Sequence, residues 1–216
     1  MNVISKPTQR VLPDREGPTK AVILHTTGAT DLAKILAFYQ SKDGLQPHYS
    51  IGLDGTVYSI VDESKVAWHC AIEKDEATIY ESGYKTWSEH RWVNDRVVDF
   101  GQEYTGYRQW RDQWRPAGLD SPLELVTGRH PNSVSVGIEL LQPVNPGPAV
   151  FTDAQYQAAA ELVSDVCARN KIVVNRQNIL GHYDCSPMRR CNDAGGWDPG
   201  YSFSWNKFFD TFKCGY

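Results

Sequence analysis

An α/β domain, a central mixed β-sheet flanked by helices, is the fold class this sequence predicts, and three observations carry it. Two short apolar runs, Ala21-Val22-Ile23-Leu24 and Ile179-Leu180, lead into histidines His25 and His182 and read as buried strands. An Asp54-Gly55 pair separates two β-rich runs at residues 48–53 and 56–61, the strongest short-range hairpin signal. Between and after these runs, apolar residues recur at helical spacing.

In chain order, residues 1–19 carry Pro7, Pro13 and Pro18 among polar residues and predict an irregular surface arm. A strand follows at 20–25. Thr30 or Asp31 then caps a helix whose Leu32, Ile35, Leu36 and Tyr39 form one stripe ending near Gly44. After the hairpin, residues 65–70 bring His69 up behind Trp68. Residues 72–132 lose periodicity and become rich in aromatics, which predicts an insertion with some helix around 88–95 and 123–128. Residues 133–141 read as a strand in the middle of the sheet, with Glu139 a carboxylate in an otherwise apolar run. Thr152 with Gln155 forms a capping box opening a helix to about Asn170, with Tyr156, Ala159, Leu162, Val163 and Val166 on its core face. The strand holding Ile179 and Leu180, a loop, and an amphipathic helix at about 204–212 complete the chain.

The 216 residues suit one domain able to bury its own core. A hydrophobic fraction of 41% and an aromatic fraction of 12% argue for a folded globule. No stretch approaches the roughly 20 apolar residues of a membrane helix, so no membrane partner is expected. The first residues lack an apolar signal core, which predicts synthesis in the cytoplasm without a cleaved signal. A net charge of −4 offers no basic field for nucleic acid. The five cysteines, Cys70, Cys167, Cys185, Cys191 and Cys214, contain no CxxC pair, which excludes a zinc knuckle or redox motif of that kind. Cys185 and Cys191 flank the loop after His182 and either bridge in an oxidising compartment or remain thiols.

The chemistry concentrates at the strand ends. His25, followed by the small polar run Thr26-Thr27-Gly28, His182, and Asp198 in an Asp-Pro-Gly turn make the three-ligand set of a catalytic zinc with one position open. A lone strand-end histidine is more often structural, and Asp-Pro-Gly also suits a plain turn, so the set rests on all three together.

In this order His25, "HYSIGLDGTVYSIV", "VAWHC", "SVGIEL", "LGHYD" and "DPGYSFSW" resemble the zinc-dependent N-acetylmuramoyl-L-alanine amidases of the type 2 class, which share their fold with the peptidoglycan recognition proteins. The resemblance covers residues 20–70 and 133–212. It implies a Zn2+ cofactor on His25, His182 and Asp198. The third ligand is chosen because "DPG…FxW" aligns at 198–205, with Asp193 and Cys191 as competitors in a loop longer than the family's. It also implies that Glu139 activates water, where some relatives use a tyrosine at the position of Pro47; an outward carboxylate paired with an arginine is the alternative. His69 and Trp68 match the substrate groove, or else close the core. The family's lysine falls on Gly196, so Arg189 or Arg190 must supply the cation. The insertion at 72–132 walls or lids the groove. The implied activity is cleavage between N-acetylmuramic acid and the L-alanine of peptidoglycan stem peptides, by a monomer acting on the cell wall. A non-catalytic peptidoglycan-binding module and a zinc peptidase for another wall bond are the alternatives. A phage endolysin released by a holin fits this reading better than a secreted toxin or a cytoplasmic recycling enzyme.

Overall fold

The structure, a computed structural model, describes residues 2–72, 130–143, 151–186, 190, 198–199 and 202–213. Along it run β1 (Val3–Ser5), β2 (Ala21–Gly28), α1 (Leu32–Gln40), β3 (Tyr49–Ile51), β4 (Val57–Ser59), α2 (Pro131–Val134), β5 (Ser135–Pro143), α3 (Asp153–Asn170), β6 (Ile179–Gly181), α4 (His182–Cys185) and α5 (Trp205–Lys213). The strands form one sheet in the order β1-β4-β3-β5-β2-β6. Among these strands the β3–β4 hairpin is antiparallel and the other pairings are parallel. The mixed sheet with flanking helices is therefore the predicted one.

Period-two alternation divides β2 and β5 between two covered faces. Val22, Leu24, Val136, Ile138 and Leu140 join Ile51, Val57 and Ile179 in a core closed by Tyr156, Leu162, Val163 and Val166 of α3 and by Phe203 and Phe208. The intervening residues turn the other way: Ala21, Ile23 and Leu180 pack with Cys70 and Cys185, and β5 presents the small Ser135 and Gly137 before Glu139. A third cluster sets Tyr39 of α1 against Leu12, Ile60, Val61 and Ala67.

Local chemistry fixes the element ends. Asp31 caps α1 by accepting the Lys34 N–H at 3.1 Å, and Thr152 and Gln155 exchange both capping-box bonds at the start of α3. The hairpin closes through Gly55 at φ 81°, where a Cβ would stand 2.7 Å from the Ala154 carbonyl.

One expectation changes. The arm at 1–19 is not irregular throughout, because Val3–Ser5 pairs with Val57–Ser59 and satisfies the outer edge of β4. Three exposed residues among prolines and polar neighbours carry no alternation to reveal such a strand. Residues 65–70 contribute isolated bridges from Lys65 and Trp68. Cys70, Cys167 and Cys185 are buried thiols; Cys191, Cys214 and the helices expected at 88–95 and 123–128 lie outside the described residues. No helix among those residues is long and apolar enough to cross a membrane.

Candidate metal centre

Sheet register assembles the site. Parallel pairing places His25 opposite Glu139 and Glu139 opposite Ser50. Leu24 pairs with Gly181, so His182, the next residue, arrives beside His25 toward the C-terminal ends of the strands, the usual position of sites in α/β sheets. The two imidazoles meet edge to face with centroids 4.8 Å apart.

Asp198 closes the cluster. Its Oδ2 lies 3.1 Å from His25 Nδ1 and 3.0 Å from His182 Nδ1. The ligand atoms of all three residues fall within 4.8 Å of one another, and all three are buried. Asp198 Oδ1 is occupied, accepting the Thr26 N–H at 2.6 Å, which leaves Oδ2 to face the rings.

Hydrogen bonds on the far side of each ring decide its tautomer. His182 Nε2 donates to the Ala71 carbonyl at 2.6 Å, so Nδ1 keeps its lone pair. His25 Nε2 lies 2.9 Å from His69 Nδ1, His69 Nε2 lies 3.3 Å from Ser135 Oγ, and Ser135 Oγ donates to the Pro131 carbonyl at 2.7 Å. Read from Pro131 backwards, each donor is fixed in turn, and His25 also keeps its Nδ1 lone pair. Two imidazole lone pairs and a carboxylate oxygen turned on one another repel unless positive charge sits among them, and Arg190, whose Nε donates to His182 Nδ1 at 3.2 Å, supplies part of it. A nitrogen, nitrogen, oxygen donor set of this kind fits zinc.

A proton can also serve as that positive charge. Burial pushes the Asp198 carboxyl up, but positive charge on the His25 and His182 rings outweighs it and holds the group well below the usual carboxylate range; burial lowers His182, but Cys70 and Asp198 outweigh it and raise it to about 10. Burial raises Glu139 to about 7, reinforced by Asp198 and opposed by His25. Glu139 is 6% exposed and its Oε2 has no hydrogen-bond partner. A carboxylate of that pKa with an unengaged oxygen can take and return a proton near neutrality.

The N-acetylmuramoyl-L-alanine amidase family model, Amidase_2, matches residues 15–201. The chain belongs to this family. Among solved structures it is similar to a selenomethionine AmpD derivative, with TM-score 0.60 and 19% identity over 97% of this chain and 93% of that one. It is similar to AmiD from E. coli, the amidase solved with anhydro-N-acetylmuramic acid-L-Ala-D-gamma-Glu-L-Lys, with TM-score 0.55 and 20% identity over 94% of this chain and 61% of that one. The Ph2119 endolysin from Thermus scotoductus MAT2119 bacteriophage Ph2119 gives TM-score 0.52 and 14% identity over 98% and 99%. No curated protein sequence matches. At these identities the structural likeness establishes the family's fold.

Of the residues singled out from the sequence, His25, His182, Asp198, Glu139 and Arg190 come together. Arg190 Nε lies 3.2 Å from His182 Nδ1, and its Nη2 is 3.9 Å from Asp198 Oδ2. His69 takes a different place from the groove wall expected: at 2% exposure it stands behind His25. It fits there because position 137 is glycine, where a Cβ would lie 2.2 Å from His69 Cγ. Trp68 is exposed, with the Arg10 guanidinium 3.9 Å over its ring. Arg189, Asp193 and Cys191 lie outside the described residues.

Other residues support the site from outside the predicted set. His48 Nδ1 accepts the Gly137 N–H at 3.0 Å, and burial with the Arg15 guanidinium at 3.0 Å pushes it down to about 3, so it stays neutral. Asp184 accepts from Gly181 N at 2.7 Å and pairs with Arg176 at 2.9 Å, bracing the turn that presents His182. Arg176 in turn donates to the Ile179 carbonyl at 2.6 Å and lies 3.8 Å over Trp205. The "GHYD" string held a signal for Asp184, as a carboxylate three residues beyond a helix entry; Arg176 had none.

Proposed function

We propose that this protein is a zinc-dependent N-acetylmuramoyl-L-alanine amidase that cleaves the amide between the lactyl group of N-acetylmuramic acid and the L-alanine of the peptidoglycan stem peptide. The observation that carries the reading is the placement of Glu139, buried with its Oε2 unpartnered, beside the His25, His182 and Asp198 cluster. Family membership and the likeness to AmiD, solved with a muramyl peptide as substrate, support the choice of bond.

In this mechanism His25 Nδ1, His182 Nδ1 and Asp198 Oδ2 would hold the metal, and zinc there would supply Lewis acidity and lower the pKa of water. Glu139 accepts the proton of the attacking water and returns it to the leaving amine, two tasks served by one carboxyl with a pKa of about 7. Arg190 supplies positive charge to the developing oxyanion, taking over from the family lysine whose position is Gly196. Arg189 lies beside it in sequence and is proposed for the same task. His69 orients His25. The exposed Trp68 is proposed to contact substrate. The chain acts as a single monomeric domain on the cell wall, in the manner of an endolysin; most of the insertion at 72–132, expected to wall the groove, lies outside the described residues.

Glycine at position 196 favours a second reading, a recognition module that binds peptidoglycan without cutting it. Incubation with purified peptidoglycan separates the two. The amidase releases stem peptides with new L-alanine amino termini and loses this activity in Glu139→Ala; the module co-sediments with peptidoglycan and releases nothing.

A further inference from the structure

Two buried polar atoms lack partners among the described residues, and the residues that carry them are register partners on neighbouring strands. Ser50 in β3 is the register partner of Glu139 in parallel β5. Strands about 4.8 Å apart raise register partners from the same sheet face. Ser50 is fully buried, Glu139 nearly so, and neither Ser50 Oγ nor Glu139 Oε2 has a hydrogen-bond partner. The next residue in this row beyond Glu139, His25, directs its ring nitrogens at Asp198 and His69. Ser50 is flanked by Tyr49 and Ile51, which pack with the apolar core of the opposite face. A buried hydroxyl without a partner lowers stability, whereas an apolar residue would occupy the slot without that penalty.

We infer that Ser50 is a positioning residue for Glu139. A rotation of the short serine side chain turns its hydroxyl to donate to Oε2, and this bond fixes which edge of the carboxylate meets the attacking water and the leaving amine. Such a bond orients an acid–base group that sheet packing alone leaves with an unanchored oxygen. The inference rests on Glu139 serving as the acid–base group proposed above.

The test uses the full chain with its zinc and a soluble N-acetylmuramoyl-peptide. Ser50→Ala is expected to lower kcat about tenfold, the rate equivalent of one hydrogen bond to a charged group, with KM and zinc content within about twofold of wild type. Ser50→Thr, which keeps the hydroxyl, restores most of the loss. In the metal-free protein, the Tm changes of Ser50→Ala and Glu139→Ala are expected to be non-additive when the two are combined. Undiminished kcat in Ser50→Ala against an active wild type overturns the inference, as do strictly additive Tm changes. An inactive wild type overturns the proposed function instead, and the Tm cycle then decides Ser50 by itself.

Discussion

Asp184→Ala strips the brace from the turn that presents His182, and the structure sets the size of the effect. Asp184 is fully buried, and its Oδ2 takes both the Gly181 N–H at 2.7 Å and the Arg176 Nη2 at 2.9 Å. The Arg176 side chain is 17% exposed, so removing the carboxylate leaves a guanidinium with little water to replace it. Breaking a buried pair in this way costs about 3–5 kcal/mol. For a domain of this size that corresponds to a fall in Tm of roughly 10 °C. Removing both charges relieves the penalty, so Asp184→Leu combined with Arg176→Met is expected to recover more than half of the loss. Gly181 immediately precedes His182, so Asp184→Ala also weakens zinc binding. Urea denaturation of the metal-free single and double variants, with zinc titration of each, reads these effects. A loss below about 1 kcal/mol with unchanged zinc affinity would refute the brace.

Gly137→Ala drives a Cβ to 2.2 Å from the His69 ring; displacement of that ring is expected to lower zinc affinity and thermal stability together, checked by zinc titration and Tm. His69→Ala removes the acceptor of the His25 Nε2 proton and is expected to weaken zinc binding about 10–100-fold, read with a competing chelator. Glu139, raised from 4.5 to about 7, stays protonated in the folded state after the unfolded chain has ionised. That contribution to stability is intact below about pH 4.5 and lost as the pH rises through 7. Glu139→Gln, which cannot ionise, is therefore expected to exceed wild type in the metal-free state by about 3 kcal/mol near pH 8, with the advantage vanishing near pH 4. Urea denaturation at both pH values measures it, and a pH-independent difference contradicts the raised pKa.

Local signals in the sequence reached the elements whose formation is local. The Asp54-Gly55 turn, the Thr152 and Gln155 capping box and the stripe from Tyr156 to Val166 all define what they predicted, because each depends on residues a few positions apart. β1 escaped, since three exposed residues become a strand only where the edge of β4 is waiting for them. At the site, His25, Glu139, His182 and Asp198 stood out as ionisable groups at strand ends, in an apolar strand or in a turn. Their supporting partners were less legible. His69 stood out, but for the groove rather than for a place behind His25, and Ser50 beside Glu139 and Arg176 across from Asp184 are set by register and by contacts far along the chain. Ser135 and Gly137 looked like interruptions of an apolar strand; their small size is what admits the His69 ring.

The central claim is that His25, His182 and Asp198 hold a zinc ion that works with Glu139 on a muramyl amide. Metal analysis of wild type, Asp198→Ala and Glu139→Ala, paired with release of L-alanine amino termini from purified peptidoglycan, tests it most directly. One zinc per chain and cleavage are expected in wild type, loss of both in Asp198→Ala, and full zinc without cleavage in Glu139→Ala. Full zinc in Asp198→Ala, or undiminished cleavage in Glu139→Ala, would contradict it.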